Sequence, residues 1–218
     1  MKSIRYSLKN DVYYLFMILR MTYLLIALFC IGATVSIKFH VKSFAQESDI
    51  SNTAMPVSLY LLDDEKGRLS SPSNNMRLII VFDKVNEIWA QAGIRFDIKY
   101  IGRITVPTNI IREIVNGNYK PFLKGRDSEF KVPKPSEINI FYAKEVGLLN
   151  GVTLDKNIVI IKDSPGSQTG RVTAHELGHI FNLDHVHGDK SMLMYPGTEG
   201  TALTHKEIKA ARNIAKDR

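Results

Sequence analysis

Cysteine is almost missing from the 218 residues: Cys30 is the only one. No disulfide can therefore close within the chain, and no zinc site can be built from several thiolates. Internal repeats and low-complexity stretches are also lacking, which excludes a collagen-like or linker-like chain. With 44% hydrophobic and 23% charged residues, the composition is that of a globular protein with enough apolar mass to bury a core. The length allows one domain, or one domain with an appendage. The one apparent excess is positive charge, +7 from 29 Lys and Arg against 22 Asp and Glu, which taken whole points to an anionic partner.

That charge is unevenly placed. Lys2, Arg5, Lys9 and Arg20 precede an uncharged apolar run, Met21–Ile37, which is followed by Lys38, His40 and Lys42. Ser43-Phe44-Ala45-Gln46 comes next, with small residues where a signal peptidase reads, so cleavage after Ala45 is expected. The run is not amphipathic and basic residues bracket it, which disfavours a buried core helix. Its length suits the upper limit of a signal-peptide core and the lower limit of a membrane span, so residues 1–45 read as a cleaved signal or a retained N-terminal anchor. Either way the basic residues keep that end in the cytoplasm and the remainder is exported, to the periplasm or outside the cell. Phe29 before Cys30 is not the small residue of a lipoprotein signal. Without the six basic and one acidic residue of 1–45, the chain carries 23 basic against 21 acidic side chains. Residues 46–55 are polar and read as a linker, leaving 56–218 as the folded domain.

Within that domain, Pro56–Leu62 reads as a strand closed by the charged turn 63–67. From Ser73 or Asn74 to Ala92, the residues Met76, Ile79, Ile80, Phe82, Val85, Ile88 and Trp89 fall near helical spacing, and Gly93 supplies a stop. An amphipathic helix with one wide apolar face is predicted, Trp89 serving as packing. Ile94, Phe96, Ile98 and Tyr100 alternate with Arg95, Asp97 and Lys99 as a half-buried strand. Arg103–Pro135 is rich in Pro, Gly and Lys and has no sustained period beyond a short helix at 108–115, so it reads as a long surface excursion. Ile138–Tyr142 and Asn157–Ile161 are further strands with a short edge strand, 147–153, between them, and 163–170 is turn chemistry entering a helix.

Residues 175–185 read His-Glu-Leu-Gly-His-Ile-Phe-Asn-Leu-Asp-His. On a helix His175 and His179 lie about 40° apart around the axis and roughly 6 Å along it, so both rings reach one ion. Glu176 is offset by about 100° and stands beside that ion without becoming a ligand. On a continuing helix His185 points about 240° away from His179, so it joins the pair only if the chain turns first. Asn182 stands where the turn must fall, and after Gly it is Asn that best tolerates the left-handed conformation ending a helix. Three neutral imidazoles with a fourth position open make a catalytic rather than a structural zinc site. An ordinary helix with surface histidines leaves the ensuing Ser191-Met-Leu-Met-Tyr-Pro196 unexplained.

The stretch Thr173–Pro196 resembles the metzincin superfamily of zinc peptidases, whose motif is His-Glu-x-x-His-x-x-Gly-x-x-His followed by a methionine turn. Leu183-Asp184-His185 and Leu193-Met194-Tyr195-Pro196 are most similar to the matrixins. The resemblance implies that His175, His179 and His185 ligate Zn2+, that Glu176 is catalytic, and that Met194, directly before Tyr-Pro, underlies the metal in preference to Met192. Looser similarity joins Val85–Phe96 to the family's helix and following strand, and Leu203–Ile208 to the start of its last helix. Thr204 and Glu207 form a capping box on their own account. The chain departs from the family in three ways: Asn182 replaces a glycine, no cysteine lies between the export segment and the domain to ligate the zinc in a latent form, and the region after Met194 is short.

The implied fold is α/β (α+β) and metzincin-like: a twisted mixed sheet of four or five strands, one packing helix, an active-site helix and a C-terminal helix. The implied activity is that of an exported zinc metalloendopeptidase with Glu176 as general base, its substrate aligned along an edge strand at 148–154. Two alternatives stay open. A zinc-binding module without activity is disfavoured by Glu176, and an aminopeptidase or other zinc hydrolase with a distal Glu ligand is disfavoured by His185 and Met194. His187 and His205 read as exposed, and Asp184 as a buttress of the turn. Lys120, Lys124, Arg126, Lys131 and Lys134 are interleaved with prolines and lack a groove-reading motif, which makes them a solvated loop. The expected partners are a protein or peptide substrate and, for the N-terminal segment, the membrane or export machinery. No nucleic acid is expected, and the chain is read as a monomer.

Overall fold

Alternating side chains leave a strand on two opposite faces, and here both faces are covered. The computed structural model describes residues 53–125, 130, 137–163 and 168–218. The export segment 1–45, residues 46–52 of the linker, Arg126, Lys131 and Lys134 lie outside them. Five strands, β1 (Thr53–Asp64), β2 (Ile94–Val106), β3 (Ile138–Ala143), β4 (Gly151–Asp155) and β5 (Ile158–Lys162), form one twisted sheet in the order β2-β1-β3-β5-β4. All neighbours are parallel except β4, which runs antiparallel to β5 at the edge. The helices are α1 (Asn75–Trp89, continued by a 3-10 turn at Ala90–Ala92), α2 (Thr108–Val115), α3 (Lys120–Gly125), α4 (Gln168–Ile180) and α5 (His205–Lys216).

One face of the sheet presents Leu59, Leu61, Ile140, Tyr142, Val159 and Ile161 to α1, α4 and α5. The intervening residues Tyr60, Leu62, Phe141, Ile158 and Ile160 meet α2, Phe122 of α3 and Phe130. Parallel strands buried on both faces read as continuous apolar runs rather than alternations, which is why β3 and β5 look uniformly hydrophobic. The segment entering α1 is tied to the end of β5 by Asp163. Its buried carboxylate accepts from the Ser73 amide at 2.8 Å and from the hydroxyls of Ser71 and Ser73. Arg103 on β2 closes this corner by donating to the Ser73 carbonyl and pairing with Asp63, each at 2.5 Å.

The ends of α1 and α5 follow from their caps. Asn74 Oδ1 accepts from the Arg77 amide at 3.0 Å, and Gly93 at φ 59° reverses the chain into β2, a left-handed conformation that glycine adopts without steric cost. The capping box of Thr204 and Glu207 opens α5.

Three expectations are corrected. The sheet takes in residues 53–55 of the expected linker, because β1 pairs with β2 from Thr53↔Ile94 onward. The buried face of α1 is Leu78, Val81, Phe82, Val85, Ile88 and Trp89, while Met76, Ile79 and Ile80 are 65%, 41% and 63% exposed. A stripe at 78, 81, 82, 85, 88 and 89 already fills one side, and Ile79 and Ile80 sit about 100° and 200° around the axis from Leu78. The segment 103–135 is not a surface excursion over its described length. β2 runs on to Val106, paired with Asp64, and Ile110, Ile111, Ile114, Phe122 and Phe130 build the second core. Its helices have 8 and 6 residues, too short for a helical period to emerge between the prolines and glycines. Lys120 and Lys124 themselves are exposed.

Phe122 packs against Phe130 in a tilted pair and against Phe141 edge-on, at centroid separations of 5.2 and 5.0 Å. Phe122→Ala should therefore cost about 3–5 kcal/mol, the value for an aromatic in a core, rather than the few tenths of a solvated loop. Urea unfolding of the two proteins reads the difference.

Candidate active site

Helix α4 carries polar residues yet buries 11 of its 13. It lies against α1 and β4, and two close approaches require glycine. A Cβ on Gly151 of β4 would come within 2.8 Å of Glu176 Cγ, and one on Gly178 would collide with Met194 Sδ and lie 3.0 Å from its Cε. Met194 thus sits fully buried under the helix, against Gly178, the residue directly before His179 and about a turn after His175. On the other side Trp89 Nε1 donates to the Ala174 carbonyl at 3.2 Å and its ring meets Phe181 at 4.9 Å, so the tryptophan holds the helix and takes no part in chemistry.

The helix ends as its sequence requires. Asn182, at φ 56°, is the one non-glycine with a left-handed backbone among the described residues. The Leu183 amide returns to the Gly178 carbonyl and the Asn182 amide to the His179 carbonyl, both at 3.0 Å. These two bonds are the Schellman pattern, which satisfies the carbonyls that a helix end leaves open. The chain then doubles back, and the Val186 amide bonds the Met194 carbonyl at 2.9 Å. Asp184 is exposed and, among the described residues, forms no hydrogen bond that would buttress this turn. The backbone bonds hold it instead.

The reversal brings three rings together. His175, His179 and His185 have centroids 4.8–5.2 Å apart and offer ligand atoms all within 4.8 Å of one another, a set able to hold a metal ion. The Nε2 atoms of His175 and His185 are 3.2 Å apart, close to the roughly 3.4 Å edge of a tetrahedron with zinc–nitrogen bonds of about 2.0–2.1 Å. Two outer nitrogens are anchored: Nδ1 of His175 lies 2.7 Å from the Leu193 carbonyl, and Nδ1 of His179 lies 2.8 Å from the Leu183 carbonyl. A carbonyl accepts only, so each Nδ1 carries the proton and each Nε2 turns its lone pair toward the common centre. The donor set fits zinc.

Beside the rings lies a cleft of about 690 Å³, bordered by Leu149, Val152 and Thr153 on one side, by His175 and Glu176 beneath, and by Pro196 and Gly197 opposite. The Glu176 carboxylate lines it. The Thr153 hydroxyl lies 2.9 Å from Glu176 Oε2 and 2.8 Å from the Glu176 main-chain carbonyl. Burial pushes the Glu176 carboxyl up to about 7, against the pull of Thr153 and Arg171. Burial likewise holds His175 down at about 4, opposed by its bond to Leu193 and reinforced by Arg171 and the other two rings. Desolvation therefore favours the neutral imidazole of His175, the form that binds a metal.

All five residues expected at the site converge: His175, His179 and His185 as a cluster, Glu176 at the cleft floor, Met194 beneath. The expected edge strand is there too, as β4, though it begins at Gly151 and Leu148 and Leu149 belong to the preceding turn. His187 is exposed, its ring 6.4 Å from that of His185, and His205 is exposed at the start of α5. Two residues were not foreseen. Thr153 faces Glu176 by virtue of strand alternation at the edge, and Arg171, one helical turn before His175, is 4% exposed and reaches four main-chain carbonyls of the loop 193–200. Its spacing of four from His175 is the signal that was available.

No family model matches the chain, and no curated protein is similar to it in sequence. Solved structures are similar in fold. An archaemetzincin from Methanopyrus kandleri superimposes with a TM-score of 0.53 at 15% identity, over 75% of this chain and 97% of that one. A metalloproteinase-II from Bacteroides fragilis gives 0.48 at 15% identity, over 75% of this chain and 53% of that one. A chain in a chaperone–substrate complex gives 0.47 at 15% identity, over 76% and 34%. The five-stranded mixed sheet with its buried helix is thus a metzincin-like fold, shared with the archaemetzincin.

The two shifted groups give the metal-free protein opposite pH dependences. Glu176, raised from 4.5 to about 7, is favoured neutral in the folded chain, so its contribution is complete below pH 4.5 and lost as pH rises through 7. His175, lowered from 6.5 to about 4, contributes above pH 6.5 and loses that contribution as pH falls through 4. Glu176→Gln removes only the first dependence. Metal-free Glu176→Gln should gain on the wild type by on the order of 3 kcal/mol between pH 4.5 and 8, read as the difference in urea midpoints at the two pH values. Parallel midpoints would mean the carboxyl is not desolvated.

Proposed function

We propose that this chain is an exported, zinc-dependent metalloendopeptidase of the matrixin-like kind. The observation that carries the reading is the convergence of three imidazoles, two of them with their outer nitrogens tied to carbonyls, beside a desolvated carboxyl in an open cleft. His175, His179 and His185 hold the zinc, and Met194 supports them from below. Bound zinc supplies Lewis acidity toward the scissile carbonyl and toward water.

Glu176 is the proton carrier. One carboxylate oxygen accepts a proton from the attacking water and then delivers it to the leaving amine, a task for which Glu176 is placed by its position in the cleft beside the three rings. Thr153 holds Oε2 at 2.9 Å and so leaves the other oxygen, Oε1, to face the reacting groups. The peptide lies along β4. This strand ends the sheet, so its outer N–H and C=O groups are free to pair with an extended chain, and Thr153 places that chain over Glu176. A substrate held along a strand continues past both ends of the site, which favours cleavage within chains over removal of terminal residues. The matrixin-like subtype rests on Leu183-Asp184-His185 and Leu193–Pro196, and export rests on the basic, apolar and small-residue pattern of 1–46.

Glu176→Gln should keep stoichiometric zinc and lower kcat by at least 10³-fold on a peptide library that the wild type cleaves internally, with the chelator-treated wild type equally inactive. Retained turnover in that variant removes Glu176 from the reaction. Zinc bound by a wild type that cleaves nothing favours the inactive binding module, and release of single terminal residues favours an aminopeptidase.

The export reading is checked on the chain as the cell delivers it. A mature N-terminus at Gln46 is expected for the cleaved signal, and an intact Met1 in the membrane fraction identifies the anchor.

A further inference from the structure

Arg171 is an oddity of this site. Its guanidinium is buried, and among the described residues no carboxylate forms an ion pair with it. A buried cation is tolerated only when its donors are met, and here they are met by main-chain carbonyls from a single loop. Nε donates to Gly200 at 2.9 Å, Nη2 to Leu193 at 2.6 Å and to Tyr195 at 2.8 Å, and Nη1 to Gly197. Four carbonyls within eight residues thus converge on one planar fork, an arrangement a lysine ammonium cannot reproduce.

One of those four has a second partner. The Leu193 carbonyl also lies 2.7 Å from Nδ1 of His175, so its two lone pairs are divided between Arg171 and the histidine. Arg171 and His175 are one turn apart on α4, about 40° around the axis, which is why both reach the same atom. Met194 follows in the chain and packs beneath Gly178. His179 is a natural control: its Nδ1 partner is the Leu183 carbonyl, which Arg171 does not touch.

We propose that Arg171 is a positioning residue for the metal centre, gathering the loop 193–200 around its guanidinium so that the Leu193 carbonyl fixes the ring of His175. The inference rests on the zinc-site reading above. Outer partners of ligating histidines commonly contribute 10–100-fold to metal affinity. The pull here is specific to one of the three ligands.

The test uses the full chain, zinc titrated against a chromophoric chelator, and ring-nitrogen NMR of the zinc-loaded protein. Arg171→Met should weaken zinc binding by about 10–100-fold. It should also alter the Nδ1–H signal of His175 by faster exchange or a changed shift, while that of His179 stays in place. Arg171→Gln, with an amide donor for Leu193 but no fork, should fall between Met and the wild type. Zinc affinity within about threefold of the wild type in the Met variant, with both ring signals unmoved, overturns the proposal. So does the loss of both signals together, or failure of both variants to fold with zinc present, because Arg171 then serves the fold at large. Peptide cleavage by the wild type is scored separately. Arg171-dependent zinc affinity in a chain that cleaves nothing leaves this inference standing and removes the peptidase reading, and the converse result does the reverse.

Discussion

The site depends on one reversal of the chain. Two histidines four residues apart on α4 are brought to one side by the helix itself, but the third, six residues on, is directed away by the same geometry. Stopping the helix at Ile180 and placing Asn182 in the left-handed region cancels that rotation. Its two backbone bonds, Leu183 to Gly178 and Asn182 to His179, use carbonyls that would otherwise face a buried helix end unsatisfied. One of the same residues serves twice, since the Leu183 carbonyl then accepts from His179. Terminating the helix and orienting a ligand are therefore a single local event.

Burial imposes the second constraint. A helix that carries Arg171, Thr173, His175 and Glu176 and is almost fully enclosed is costly unless every polar group has a partner. Thr173 bonds the Thr169 carbonyl and Tyr142, Arg171 takes four carbonyls, His175 takes one and Glu176 has Thr153. What stays uncompensated is the charge state. Desolvation moves Glu176 and His175 in opposite directions along the pH scale, and it does so because the pocket opposes ionisation of either. A cation among the rings would offset the shift of Glu176 by favouring its carboxylate, and it would take up the lone pair that a neutral His175 offers.

Much of this is written locally in the chain. His175, His179 and Glu176 follow from helical spacing, His185 from the need for a turn, Asn182 from its tolerance of positive φ, and Thr204 with Glu207 from capping chemistry. The first strand, β3 and β5 stand out as short apolar runs. What was illegible is non-local. The second core under 103–135 is spread over helices of two turns or fewer whose apolar residues find their period only against the sheet. The exposed apolar residues of α1, Met76, Ile79 and Ile80, could not be told from its buried side because both are apolar, and only packing against α4 selects one. Thr153 and Arg171 act through partners 23 and 22 to 29 residues away; the spacing of four puts Arg171 on the face of His175, but no spacing rule names the carbonyls it reaches.

The topology also decides where a substrate can lie. The interior parallel strands β1, β3 and β5 must be covered on both faces, and the helices on either side of the sheet do this, so they offer no surface to a ligand. Of the two edge strands, β2 and β4, only β4 runs antiparallel and lines the cleft, with residues half exposed rather than buried. Such a strand can have one side against the core and the other toward water. It also stands close enough to α4 that Gly151 nearly touches Glu176. In the proposed reaction the surface that pairs with the peptide and the hydroxyl that orients the proton carrier then belong to one strand. A shift of β4 by one residue would turn Thr153 to the opposite face, so the register with β5, Thr153↔Val159, fixes binding and chemistry together.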